Sequence, residues 1–117
     1  MTNSSYEKEP LVALSYWSVY EVPLHGADAP WTRHFVGFAK DLGLAQVSSA
    51  ILMFDPEHGV GAAASHRVFQ LVGDSGRHQE SARMWARWKF LNKVQQERDV
   101  TYSFSREMQE ERRSARL

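Results

Sequence analysis

Two tryptophans on one side of a helix constrain this chain more than any other feature. In HQESARMWARWKFLNKVQQER, residues 78–98, Met84, Trp85, Trp88 and Leu91 fall within one stripe about 100° wide at 3.6 residues per turn. Each indole carries a large apolar area that gains free energy by leaving water. A helix so weighted needs a broad partner surface, and the rest of the chain reads as strands. LVALSYWSVYEV is rich in β-branched and aromatic residues, with Trp17 and Val19 alternating against Tyr16, Ser18 and Tyr20, which predicts a strand near 14–22. Pro23, Gly26, Asp28 and Pro30 break it. WTRHFVGFAKD predicts a second strand over 32–40, QVSSAILMF a third over 46–54, and the alternation in HRVFQLV a fourth over 62–72.

Between the third and fourth strands stands DPEHG. Asp55 can accept backbone hydrogen bonds, Pro56 presets φ, and Gly59 tolerates a left-handed conformation, so the stretch reads as a hairpin turn. The expected fold is α+β: a small antiparallel sheet of about four strands, open or partly closed as a barrel, with one long helix over 79–98 packed across it. DVTYSF suggests a short extra strand near 100–104. With 117 residues there is room for one domain. It is expected to span 11–104, between a flexible tail at 1–10 and a charged tail at 105–117, where SREMQEERRSARL reads as frayed helix or disorder.

Several activities are disfavoured by what the chain lacks. It has no cysteine, so disulfides, thiolate metal sites and cysteine nucleophiles are absent. His25, His34, His58, His66 and His78 are scattered, without the i, i+4 spacing of a helical zinc site. There is no phosphate loop and no dinucleotide fingerprint. Neither a metal nor a cofactor is expected. The opening MTNSSYEKEP is polar and acidic, unlike a signal peptide, and no apolar run approaches the ~20 residues that span a bilayer. A cytoplasmic protein with no membrane partner is expected.

GDSG at 73–76 spells the tetrapeptide that presents the serine of chymotrypsin-like proteases. That chemistry also needs a histidine base, an orienting carboxylate and a preformed oxyanion hole, set between two barrels for which this chain has no room. Arg77 and His78 do not continue the protease pattern. GDSG reads instead as punctuation between a strand and a helix, with Asp74 or Ser75 capping the helix, and no catalytic residue is assigned.

The overall charge is balanced, 14 basic against 14 acidic residues, but the halves differ. From Arg77 onward there are ten basic residues against six acids, so local charge can guide a partner. On the helical wheel Arg83, Arg87 and Arg98 flank one edge of the tryptophan stripe, and Lys89 and Lys93 the other. Phe90 and Val94 lie off the stripe beside Arg87. Arg83, Arg87, Phe90 and Val94 are therefore the candidate partner-binding residues, because arginine and aromatic side chains dominate binding energy at interface centres. The alternative is that the sheet or the C-terminal segment covers Phe90 and Val94. Direct nucleic-acid binding is disfavoured, since the basic residues form no continuous surface. The sequence leaves open whether the protein is a monomer or a homodimer.

VSSAILMFDPEHGVGAAASHRVFQLVGDSG, followed by ARMWARWKFLNKV and RDVT, resembles small accessory proteins carried by proteobacterial phages and integrated elements, to which no activity is attached. Ser48, Ser49, Ile51, Phe54, Asp55, Pro56, Arg67, Leu71, Gly73, Gly76, Trp85, Trp88, Asp99, Val100 and Thr101 carry the resemblance, over roughly residues 46–101. Phe69 stands in place of tyrosine, His66 in place of glycine, and Ala63 or Ala64 in place of threonine. The resemblance implies a mobile-element setting and, by association, a non-enzymatic inhibitor of a bacterial protein or nucleoprotein complex, in the manner of anti-CRISPR proteins. The alternative is a nucleic-acid-binding regulator of the element itself.

Overall fold

The structure, a computed structural model, describes residues 11–116; the tail expected at 1–10 lies outside them. Seven strands, β1 (Leu11–Val22), β2 (Thr32–Ala39), β3 (Leu44–Val47), β4 (Ile51–Asp55), β5 (Val60–Ala63), β6 (Val68–Leu71) and β7 (Arg98–Asp99), combine with α1 (Gln79–Leu91) and α2 (Thr101–Ala115). The α+β class is as expected. The sheet, however, is mixed rather than antiparallel, and there are two helices instead of one. Its order is β3-β2-β1-β6-β5-β4, with β7 also pairing with β1, so the sheet is open and β3 and β4 are its edges. The parallel pair is β1 with β6, Leu11 opposite Val68 through Leu14 opposite Leu71.

The expected third and fourth strands are each two strands, because side chains intercept the backbone where they break. The Ser48 hydroxyl accepts from the Phe35 N–H at 2.8 Å and donates to the Ser49 carbonyl at 2.7 Å. The Ser49 hydroxyl accepts from the Ser65 N–H at 2.9 Å. Serine competes in this way with ladder bonds wherever the chain must turn. His66, at φ 72°, completes the second break. The turn at DPEHG is as expected: the Asp55 carboxylate accepts from the N–H groups of Glu57 and His58, and Gly59, at φ 66°, donates to the Asp55 carbonyl at 2.8 Å.

β1 organises the core. Its pairing with β2 is irregular between Ser15 and Ser18, where Tyr16 takes φ 50°. A bulge shifts the alternation by one residue. Val12 and Leu14 therefore face inward before it, and Trp17 and Val19 after it. Beyond the bulge both faces of the strand are covered. Trp17, Val19 and Phe35 pack with Phe104 and Met108 of α2, while Tyr20, Val22 and Val36 pack with Trp85 and Trp88 of α1. This half of the sheet is the middle layer between two helices.

α2 begins where β7 ends, not in a strand at 100–104. Asp99 accepts from the Thr101 N–H at 2.9 Å, and the Thr101 hydroxyl accepts from the Val19 N–H at 2.9 Å. The charged segment expected as a tail from 105 is the body of this helix. Its charges face water, and the i, i+4 pair Phe104 and Met108 enters the core.

α1 ends at Leu91, seven residues before the expected stop. Lys93 takes φ 57°, its N–H bonds the Phe90 carbonyl at 3.2 Å, and the Val94 N–H bonds the Lys89 carbonyl at 2.9 Å. This is a Schellman termination with lysine where glycine is usual. It folds Val94 back beneath the helix, into the cluster with Val22, Val36 and Trp85.

Candidate partner-binding surface

The GDSG loop and its surroundings set the position of α1. The Gly73 carbonyl accepts from the Trp17 indole N–H at 3.0 Å, and the Gly76 carbonyl from the Ser18 hydroxyl at 2.9 Å. The helix is not capped by Asp74 or Ser75, as the sequence suggested. His78 is the N-cap, its Nδ1 accepting from the Glu80 N–H at 3.2 Å while its ring stacks on Phe38. Any side-chain acceptor at the right backbone geometry can fill this role, and a histidine outside the usual capping set gives no sequence signal. Ser75 sits four residues upstream of the helix, and among the described residues no hydrogen bond joins it to a histidine.

The inner side of α1 rests on an aromatic stack. Tyr20 lies under Trp85 with ring centres 4.9 Å apart, Trp85 under Trp88 at 5.1 Å, and His34 against Trp88 at 4.7 Å. Trp85 is buried as expected, with its indole N–H bonded to Glu97 at 3.2 Å. Trp88 is half-buried, while Met84 and Leu91 are exposed. The helix is thus rolled about its axis so that Ser81 and Trp85 centre the contact, and one edge of the expected stripe faces water.

His34 is fully buried below this stack. Its Nδ1 lies 2.8 Å from the Ser48 carbonyl, which can only accept, so Nδ1 carries the proton. Nε2 then accepts from the Thr32 hydroxyl at 2.7 Å. Burial holds its pKa below the ordinary histidine value, opposed by the bond to Ser48.

The four candidate residues divide. Arg83, Arg87 and Phe90 share the outward face of α1, spaced so that they fall within about 60°. Phe90 is 82% exposed, the most exposed large apolar side chain among the described residues. Arg83 is held by Glu80 at 3.2 Å. Val94 does not join them, because at 9% exposure it is core, for the backbone reason given above. The sequence missed the far wall of this surface. Leu44 of the edge strand β3 and Met84 line a groove of about 390 Å³ with Arg83 and Arg87. Leu44 falls outside the strand expected over 46–54, and only the pairing of β3 with β2 brings it beside α1.

Other charged groups are structural in placement. Glu21 bonds both Arg33 and Arg98 at 3.0 Å, tying β1 to β2 and β7, and these bonds hold its carboxyl below the usual range. Among the described residues no cluster of histidine and acidic side chains could hold a metal ion, and no helix is long and apolar enough to cross a membrane. Comparison with protein-family models, curated proteins and solved structures finds no match.

Proposed function

We propose that this chain is a non-enzymatic protein-interaction module of a phage or mobile element, an inhibitor of a bacterial host or defence complex in the manner of anti-CRISPR proteins, acting in the bacterial cytoplasm. The supporting observation is the outward face of α1. An almost fully exposed phenylalanine stands one turn beyond Arg87 on the face it shares with Arg83, and the two arginines line a groove with Met84 and Leu44. Single exposed apolar side chains are ordinary, but an exposed aromatic beside arginine is a combination in which interface centres are enriched. Arginine also clamps carboxylates bidentately, so the fitting partner surface is acidic around an apolar centre. The mobile-element setting rests on the resemblance in sequence; the mode of action rests on this surface.

The test is affinity capture from bacterial lysate, followed by binding measurements with the partner identified. Phe90→Ala combined with Arg87→Glu should abolish capture while circular dichroism stays unchanged, since both side chains are exposed. Undiminished capture by the double variant would place the interface elsewhere. The second reading, a nucleic-acid-binding regulator, draws on Arg112, Arg113 and Arg116, which line a shallow groove with Gln109 near the end of α2. DNA binding with a steep salt dependence, lost on replacing these arginines, would favour it over the first.

A further inference from the structure

On its inner flank α1 borders a second feature, separate from the outward face. A cavity of about 90 Å³ lies between the start of the helix and β1, walled by Tyr16, Tyr20 and Trp85. Ser81, in the first turn of the helix, lines it. Ser81 is 4% exposed, and its hydroxyl is the one buried side-chain polar atom among the described residues that lacks a hydrogen-bond partner. A buried orphan hydroxyl destabilises a fold and is rare unless something external satisfies it. We propose that this cavity is a binding site for a small carboxylate with a compact apolar body.

Three observations select that chemistry. The cavity adjoins the first turn of a 13-residue helix, the positive end of the helix dipole. The wall carries the guanidinium of Arg77, and no carboxylate lines it. Arg77 does pair with Asp99, but at 3.8 Å and largely in solvent, so the guanidinium is free to turn to a better partner. Finally, the remaining wall is aromatic and apolar. Burial raises the pKa of Tyr20, so its phenol stays protonated and able to donate. Tyr16, at φ 50° in the bulge, lines this space and backs onto Gly76, where an added Cβ would lie 3.7 Å from the Tyr16 Cα. A carboxylate would seat its oxygens on the Ser81 hydroxyl and the Arg77 guanidinium and its apolar body against Trp85.

Isobutyrate and isobutyramide are suitable probes, matched in shape and differing in charge. Titration of the full chain, followed by amide and indole NMR shifts, should show saturable isobutyrate binding at about millimolar affinity, in line with so few heavy atoms. The shifts should cluster at Tyr16, Tyr20, Ser81 and Trp85, and isobutyramide should bind several-fold more weakly. Ser81→Ala and Arg77→Gln should each weaken isobutyrate by about tenfold, the loss of one charge-assisted hydrogen bond. Ser81→Ala should also raise the melting temperature of the free protein, because it removes the orphan. No saturable shift, equal binding of acid and amide, or a Ser81→Ala protein that binds as well as the parent would each overturn the proposal. So would a drop in stability in Ser81→Ala, since the hydroxyl would then have a partner, such as a resident water. None of these results bears on the capture experiment, which reads the opposite side of the helix.

Discussion

Met108 offers a direct test of whether α2 belongs to the core. Most of the side chains around it in MQEERRSARL are charged, yet Met108 is 4% exposed and packs among Leu14, Trp17, Phe69 and Phe104. Its methyl group also reaches the DPEHG turn, where a Cβ added to Gly59 would lie 2.8 Å from it. Met108→Ala removes three heavy atoms from this packing and leaves a cavity that the surrounding rings cannot fully close. The expected loss is about 2–4 kcal/mol. In a domain of this size that corresponds to roughly 8–16 °C in melting temperature. Met53 supplies the control, because it is 72% exposed on the edge strand β4. Met53→Ala makes the same chemical change and should move stability by no more than about 0.5 kcal/mol. Thermal and urea unfolding of the two variants, followed by circular dichroism, gives the comparison. Equal shifts would refute the placement of Met108 in the core, and with it the account of residues 105–115 as part of the domain.

Two further predictions concern histidines. His34 is held neutral, its pKa lowered mainly by burial, so protonation favours the unfolded chain. Its contribution to stability should be complete above the unfolded-state value of about 6.5 and be lost as pH falls below it toward the folded-state value. Urea midpoints from pH 8 to pH 5 should therefore fall more in the parent than in His34→Gln; parallel curves would exclude His34 as the cause. At the start of α1, His78→Ala should lose about 1 kcal/mol through the missing cap, and Ser75→Ala less than that. The reverse ranking in urea unfolding would restore the cap to the GDSG loop.

The parts of the fold legible in the sequence are those where one local pattern dominates. The existence of β1 and β2, the DPEHG turn and the burial of Trp85 follow from residue type and period. The breaks at Ser48 and at Ser65–His66 escaped notice because ILMF and VFQL kept the strand pattern running on either side of them. The stop of α1 escaped notice because it uses Lys93 in a left-handed conformation, without the glycine that normally marks such a position. α2 reads in sequence only as a short strand followed by frayed helix or disorder, because just two of its fifteen residues, Phe104 and Met108, are buried and they make a weak stripe. Of the candidate surface, Arg83, Arg87 and Phe90 are on an exposed helix face, as their spacing allowed. Val94 is lost to the core through the same left-handed turn, and Leu44 is gained through strand pairing at long range.

The position of β1 bears on how the protein can be made by a ribosome. This strand is synthesised first among the described elements, yet its partners are β2, then β6 some fifty residues later, then β7 and α2 near residue 100. Until those arrive, Leu14, Trp17 and Val19 have nothing to cover them. At elongation rates of roughly 5–20 residues per second the wait is on the order of seconds. A nascent chain halted before Arg98 would lack both the β7 pairing and the α2 cover, and would hold an aromatic strand open to solvent and to chaperones.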